Sequence, residues 1–335
     1  MLTRSELLKA LKSAGIGFEI REAGGCWMVV APSLGARILG AGVGEENAFW
    51  AAPVIRRASW NEGGNAGGQR TWIAPEAGPQ GFFFTADGSR WNVPTDLDPG
   101  NYRQVSIPCD EWLSYRNSFT ARAADGAAFP LLLTRRVSVN DSQETLLRIR
   151  LRQEVENAGN LPVAKRVGLW SIIQLPSIRP GTILIPLLRV PADSAASAFR
   201  PYFSAPPPDC TDIVGSTLLV KTLVGLKYKI GVRAENATGR IAYLRRSRPS
   251  GRHASRWVLV AMSYVIDPAG TYLDKPLPDR GTNLVNGDSV QAYNDAGLGD
   301  AAFCEIEAHA PALVLEPGES QSQELEIIIV TGEKV

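Results

Sequence analysis

The sequence predicts an all-β chain, a large antiparallel β-sandwich preceded by one short amino-terminal helix. Helical periodicity is confined to the opening residues. After them come many short runs of alternating or continuous apolar residues, separated by Gly, Pro, Asn and Asp turn signals. No helical pattern lies between these runs, which excludes a βαβ plan and leaves antiparallel sheets packed face to face.

The helix is the clearest local signal. Thr3 and Glu6 stand at capping-box spacing, Leu2 and Leu7 where a hydrophobic staple sits, and Gly15 after the stripe of Leu7, Leu8 and Leu11. FEIREAGGCWMVVAP then reads as a hairpin around Gly24 and Gly25. ARILGAGV and QGFFFTADGSRW continue the strands. ETLLRIRLRQEVEN alternates best, with Leu147, Ile149, Leu151 and Val155 facing one way and Arg148, Arg150, Arg152 and Glu154 the other. Further strands are expected at LLLTRRVSV, SIIQLP, TILIPLLRV, STLLVKTLV, KYKIGVRA, RIAYLRR, RWVLVAMSYVI and ELEIIIV. Long loops rich in Gly, Pro and aromatic residues join them, and such loops commonly bind ligands. The expected organisation is a helix over residues 1–16, packed on one β-sandwich domain over 17–335.

The 335 residues carry a net charge of +1, with 44% hydrophobic and 21% charged residues, and neither a basic stripe nor an acidic tail. Nucleic acid and membrane are therefore not expected partners. No apolar run approaches the roughly 20 residues that span a bilayer. The amino terminus lacks the apolar segment of a signal peptide. Cys26, Cys109, Cys210 and Cys304 are far apart and read as buried free thiols, consistent with a cytoplasmic location.

The chemistry concentrates near the carboxyl terminus. In FCEIEAHA, alternation puts Glu305, Glu307 and His309 on one face and Cys304, Ile306 and Ala308 on the other. Two carboxylates and an imidazole in a row can form a site or a solvated face paired with arginines. EIEAHAPALVLEPGE with YNDAG before it, GGQRTWIAPE, and VENAGNLPVAKRVGLWSIIQLP together cover about a quarter of the chain. In that order they resemble the galactose mutarotase-like superfamily of aldose 1-epimerases, in a branch of its own.

The resemblance implies a very large twisted β-sandwich and a small-molecule carbohydrate ligand, with no cofactor. It implies a mutarotase or epimerase, or a sugar-binding or sensing protein that has lost catalysis. Mutarotation needs a base for the anomeric hydroxyl and an acid for the ring oxygen. IEAH lies over the superfamily's L-E-x-Q, which puts Glu307 on the base position; Glu305, on the same face, is the alternative. An early-loop arginine corresponds to Arg70, after Gly67 and Gly68 and beside Trp72 and Glu76. It can bind sugar hydroxyls or a carboxylate, or pair with Glu76. The superfamily's general-acid histidine falls on Trp170, four residues before Gln174. Indole exchanges no proton near neutral pH but can stack on a sugar and donate one hydrogen bond. The acid then falls to His253 or His309. His309 is preferred, because carboxylate neighbours would raise its pKa.

Trp72 and Trp170 are the aromatic residues expected at the ligand, then Tyr293, ahead of Trp91, Trp112 and Tyr202. Asn294 and Asp295 either bond sugar hydroxyls or form an Asx turn. No metal motif is present. Asp288, Asn294, Asp295 and Asp300 could surround a hard cation, but not at EF-hand spacing.

Overall fold

A computed structural model describes residues 1–78, 80–85, 87, 89–105, 111–163, 165–247, 255–276 and 287–333. Two ten-stranded antiparallel sheets dominate it. The first runs in the order Glu19–Ala23, Cys26–Ala31, Arg37–Val43, Gln69–Ala74, Gly168–Pro176, Phe303–His309, Asp288–Asn294, Tyr228–Arg233 and Arg200–Pro201. A short strand, Glu46–Asn47, pairs with Arg37–Val43 at its side. The second sheet runs Thr211–Val214, Thr217–Lys221, Thr182–Pro186, Arg240–Arg246, Trp257–Tyr264, Ser320–Gly332, Leu146–Asn157, Ala128–Gln143, Leu113–Arg122 and Arg103–Gln104.

Alternation explains why these sheets face each other. Cys304, Ile306 and Ala308 from the first sheet join Leu147, Ile149, Leu151 and Val155 from the second in one core. The hairpin turn at Gly24 and Gly25 has positive φ at both residues, the geometry that matches strand twist. The helix Arg4–Ser13 starts with the expected capping box. It ends in a Schellman pattern, with Gly15 N–H to the Lys12 carbonyl and Ile16 N–H to the Leu11 carbonyl. Leu7 and Leu11 pack with Trp27, Val29 and Leu39 on the outside of the first sheet.

The segment QGFFFTADGSRW does not form the expected strand. Its described residues hold one bridge, between Phe84 and Trp91. The N–H groups of Phe82 and Phe83 are taken by the Pro75 and Glu76 carbonyls, so the segment folds back over the preceding loop. Phe83 is buried against Trp72 and Trp170, and Phe84 and Trp91 also reach the outer face of the sheet.

The sandwich interior also holds a polar cluster. Arg135, fully buried, donates to Thr71 Oγ1 at 2.7 Å and Gln69 Oε1 at 2.5 Å. Thr71 donates to Gln153, and Gln153 to Gln323. Gln153 shares the inward face of the most regular strand, so that face is not wholly apolar.

Candidate functional site

The outer face of the first sheet, turned away from the second, carries the site. Directly paired residues of antiparallel strands share a face. The pairings Trp72–Trp170–His309, Arg70–Ile172–Glu307 and Gln174–Glu305–Tyr293–Lys229 bring five strands onto that face. Two glycines make the approach possible. Gly67 and Gly68 have φ of +91° and +74°, and a Cβ there would lie 2.3 Å from the Trp50 carbonyl oxygen and 2.4 Å from the Ile38 carbonyl oxygen.

Loops roof this face and leave a cavity of about 400 Å³, within the size range of small-molecule sites. Trp60, Trp72, Phe84 and Trp91 line one end, with Glu76. Phe203, Lys227, Tyr293, Asp295 and Phe303 line the other. Arg70, Trp170, Lys229 and Glu305 lie between them. The aromatic rings offer flat apolar surface, and charges of both signs punctuate it.

Two buried ion pairs underlie the cavity. Arg70 Nη2 donates to Glu305 Oε1 at 2.9 Å, and Gln174 Nε2 donates to the same oxygen at 2.9 Å. The Arg70 guanidinium lies 4.2 Å from the Trp72 ring and 4.9 Å from the Trp60 ring. Both indoles donate to Asp98 Oδ2, which also accepts from Arg37. Burial opposes ionisation of Asp98, but Arg37, Arg70 and these hydrogen bonds outweigh it and hold its carboxyl below the usual range. An aspartate thus fixes the two indoles that hold Arg70.

In the second pair Lys229 Nζ donates to Glu307 Oε2 at 2.9 Å, and Trp170 Nε1 donates to the same oxygen at 2.8 Å. The Lys229 ammonium lies 4.7 Å from the Trp170 ring and 5.3 Å from the Tyr202 ring. Burial pushes Glu307 up to about 7; Lys229 opposes the shift and Glu305 adds to it. For Lys229 burial pulls downward, but Glu307, Glu76 and Asp274 prevail and its pKa rises.

The structure brings Arg70, Trp72, Glu76, Trp170, Tyr293, Asp295 and Glu305 together around one cavity. Glu307 lies beneath it, fully buried under Trp170 and Lys229. Gln174 holds Glu305. Arg70 pairs with Glu305, not with Glu76, whose carboxylate accepts from Trp91 Nε1 at 3.2 Å.

His309 corrects its expectation. It is 1% exposed, stacks on Trp170 with centroids 5.3 Å apart, and lies outside the cavity lining. Burial, then Lys229, drives its pKa well below the ordinary value, so it is a neutral imidazole near neutral pH. The nearby cation and the desolvation outweigh the carboxylates that alternation placed on its face. His253 and Cys109 lie outside the described residues; Cys26, Cys210 and Cys304 are buried free thiols.

Asn294 points away from the cavity and donates to the Leu223 and Leu226 carbonyls, tying down that loop. Asp295 accepts from the Tyr293 hydroxyl and the Gly297 N–H, and its turn borders the cavity. The four candidate cation ligands do not gather. Asp288 pairs with Arg200, Asn294 holds its loop, and Asp300 takes the chain's amino group. Tyr202 donates to Asp288 below the cavity, and Trp112 lies beside Arg150 in a separate groove on the second sheet.

Sequence reasoning missed Lys229, Trp60, Phe303 and the buried Asp98. A lysine flanked by Tyr228 and Ile230, at the start of a strand whose other buried residues are Tyr228, Ile230, Gly231 and Val232, is a signal for Lys229. Asp98, in an Asp-Pro-Gly context, reads as an ordinary turn.

A family model described as "Family of unknown function (DUF6786)" matches residues 8–335. No curated protein matches the sequence. Among solved structures, a galactose mutarotase-like protein from Lactobacillus casei ATCC 334 aligns with a TM-score of 0.54 at 11% identity. The alignment covers 93% of this chain and all of that one (100%). The Slr1438 protein from Synechocystis sp. PCC 6803 aligns with a TM-score of 0.53 at 12% identity, covering 94% of this chain and 96% of the other. At these identities the likeness is one of fold, which is galactose mutarotase-like.

Proposed function

We propose that this chain, which belongs to the DUF6786 family of unknown function, binds a monosaccharide or small sugar derivative in the roofed cavity and interconverts its anomers. Aromatic faces suit the C–H faces of a sugar ring, and the charged groups between them suit its hydroxyls. The observation that carries the reading is the Arg70–Glu305 pair, from distant parts of the sequence, set against Trp60 and Trp72 in the lining of the cavity.

Glu305, not the sealed Glu307, is the carboxylate positioned to meet a ligand. Arg70 and Gln174 hold one of its oxygens and leave the other to take the proton of an anomeric hydroxyl. The test is the rate at which α-glucose, α-galactose and free uronic acids equilibrate, followed by optical rotation or NMR. The expected result is faster equilibration of at least one sugar, abolished in Glu305→Gln. Rates equal to buffer across the panel would reject the activity.

One observation favours a second reading, a sugar-binding or sensing protein without turnover. Trp170 stands where the resemblance expects an acid, and its single N–H is engaged with Glu307. Calorimetric binding with no anomer conversion would support that reading.

A further inference from the structure

We propose that Lys229 is the proton donor to the ring oxygen of the bound sugar, and that Glu307 is the positioning residue that holds its ammonium in place. This inference rests on the anomer-converting reading above. The position expected to supply an acid is an indole, and the neutral His309 is shielded behind it. Lys229 Nζ lies 4.7 Å from that indole, lines the cavity, and among the described residues makes one ion pair, to Glu307.

The other donors around the cavity serve less well. Arg70 does not give up a proton and is spent on Glu305. The Tyr293 hydroxyl is committed to Asp295, and burial followed by that carboxylate pushes its pKa far up. Lys227 is exposed at the rim over Phe203. Lys229 is also loaded, since the surrounding carboxylates keep it protonated.

The proton balance closes on these groups. Glu305 takes the anomeric O–H proton, the C1–O bond to the ring oxygen breaks, and Lys229 gives that oxygen a proton. The products are an open-chain aldehyde, a neutral amine and a protonated Glu305. Rotation about C1–C2 and reclosure on the other face return the ring-oxygen proton to Lys229. Glu305 then returns its own proton to the carbonyl oxygen. No co-reactant is consumed.

The charge on Glu307 regulates the donor. When Glu307 is protonated, Lys229 loses its nearest counter-charge and releases its proton more readily. The other groups around the pair are Glu76, Asp274, Glu305, Tyr202, the neutral His309, and Asp288 behind Tyr202.

The test measures anomer exchange by magnetisation-transfer NMR and sugar affinity by calorimetry, for the wild type, Lys229→Met, Glu307→Gln and the double variant. The double variant removes both charges of the pair, so it tests the proposal if the single change unfolds the protein; circular dichroism checks the fold. We expect Lys229→Met and the double variant to bind sugar but lose about 10²–10⁴-fold in kcat. We also expect wild-type kcat to fall as pH rises through about 7, a step absent in Glu307→Gln. A folded double variant with wild-type kcat overturns the role of Lys229 and leaves the activity standing. A wild type that converts no sugar overturns both.

Discussion

Strands Phe303–His309 and Leu146–Asn157 both carry alternating charged residues on one face and apolar residues on the other, yet their charged faces meet opposite fates. On Leu146–Asn157 the charged face is open. Arg148 reaches Glu326 at 3.3 Å and Arg152 reaches Glu324 at 3.5 Å, with every partner about a third or more exposed. On Phe303–His309 every residue is buried, because loops roof the face. Glu305 and Glu307 meet Arg70 and Lys229 with every partner under a tenth exposed. Water screens the first set, so its geometry decides little. The second set must be satisfied in place, so its geometry decides whether the face holds together.

The comparison breaks most sharply if one partner is removed from each face. Arg70→Met leaves the buried Glu305 without its cation and should destabilise by about 3–5 kcal/mol in denaturant unfolding. Arg148→Met should change stability by less than about 1 kcal/mol. Equal effects would erase the distinction. Asp98→Asn removes the carboxylate that anchors Arg37 and both indoles. A loss of about 2–3 kcal/mol is expected, with weaker sugar binding because Trp60 and Trp72 lose their common anchor.

Legibility in the sequence follows the same division. The strands, the capping box and the face bearing Glu305, Glu307 and His309 could be read because alternation and capping are local. Residues from five strands could meet only through strand register, which no local pattern states. Arg70 was therefore recognisable as a candidate while its partner was assigned to Glu76 as readily as to a ligand. Lys229 was passed over because its importance lies in its neighbours across the sheet. The proton affinity of His309 is hidden from the sequence for a related reason. Its face was right, but the burial and the cation that set its proton affinity come from other strands.

A pH series sharpens the comparison further. Glu307 has a raised pKa, so the folded state binds its proton more tightly than the unfolded chain does. Its contribution favours folding at low pH and is lost as pH rises from about 4.5 to about 7. The unfolding free energy of wild type relative to Glu307→Gln should therefore decrease across that window. A flat difference would contradict the upward shift that burial gives Glu307. Salt gives the smallest effect. Raising ionic strength should remove what remains of the Arg148→Met difference and leave that of Arg70→Met largely intact.

The most direct test of the central claim, that the roofed face of the first sheet is a sugar site, is a crystal structure of the protein soaked in a mixed monosaccharide library. The expected result is a pyranose ring between the aromatic walls, with a hydroxyl within hydrogen-bond distance of Glu305 and the ring oxygen facing Lys229. A saturating soak that leaves the cavity without sugar, or places sugar only elsewhere on the molecule, would contradict it.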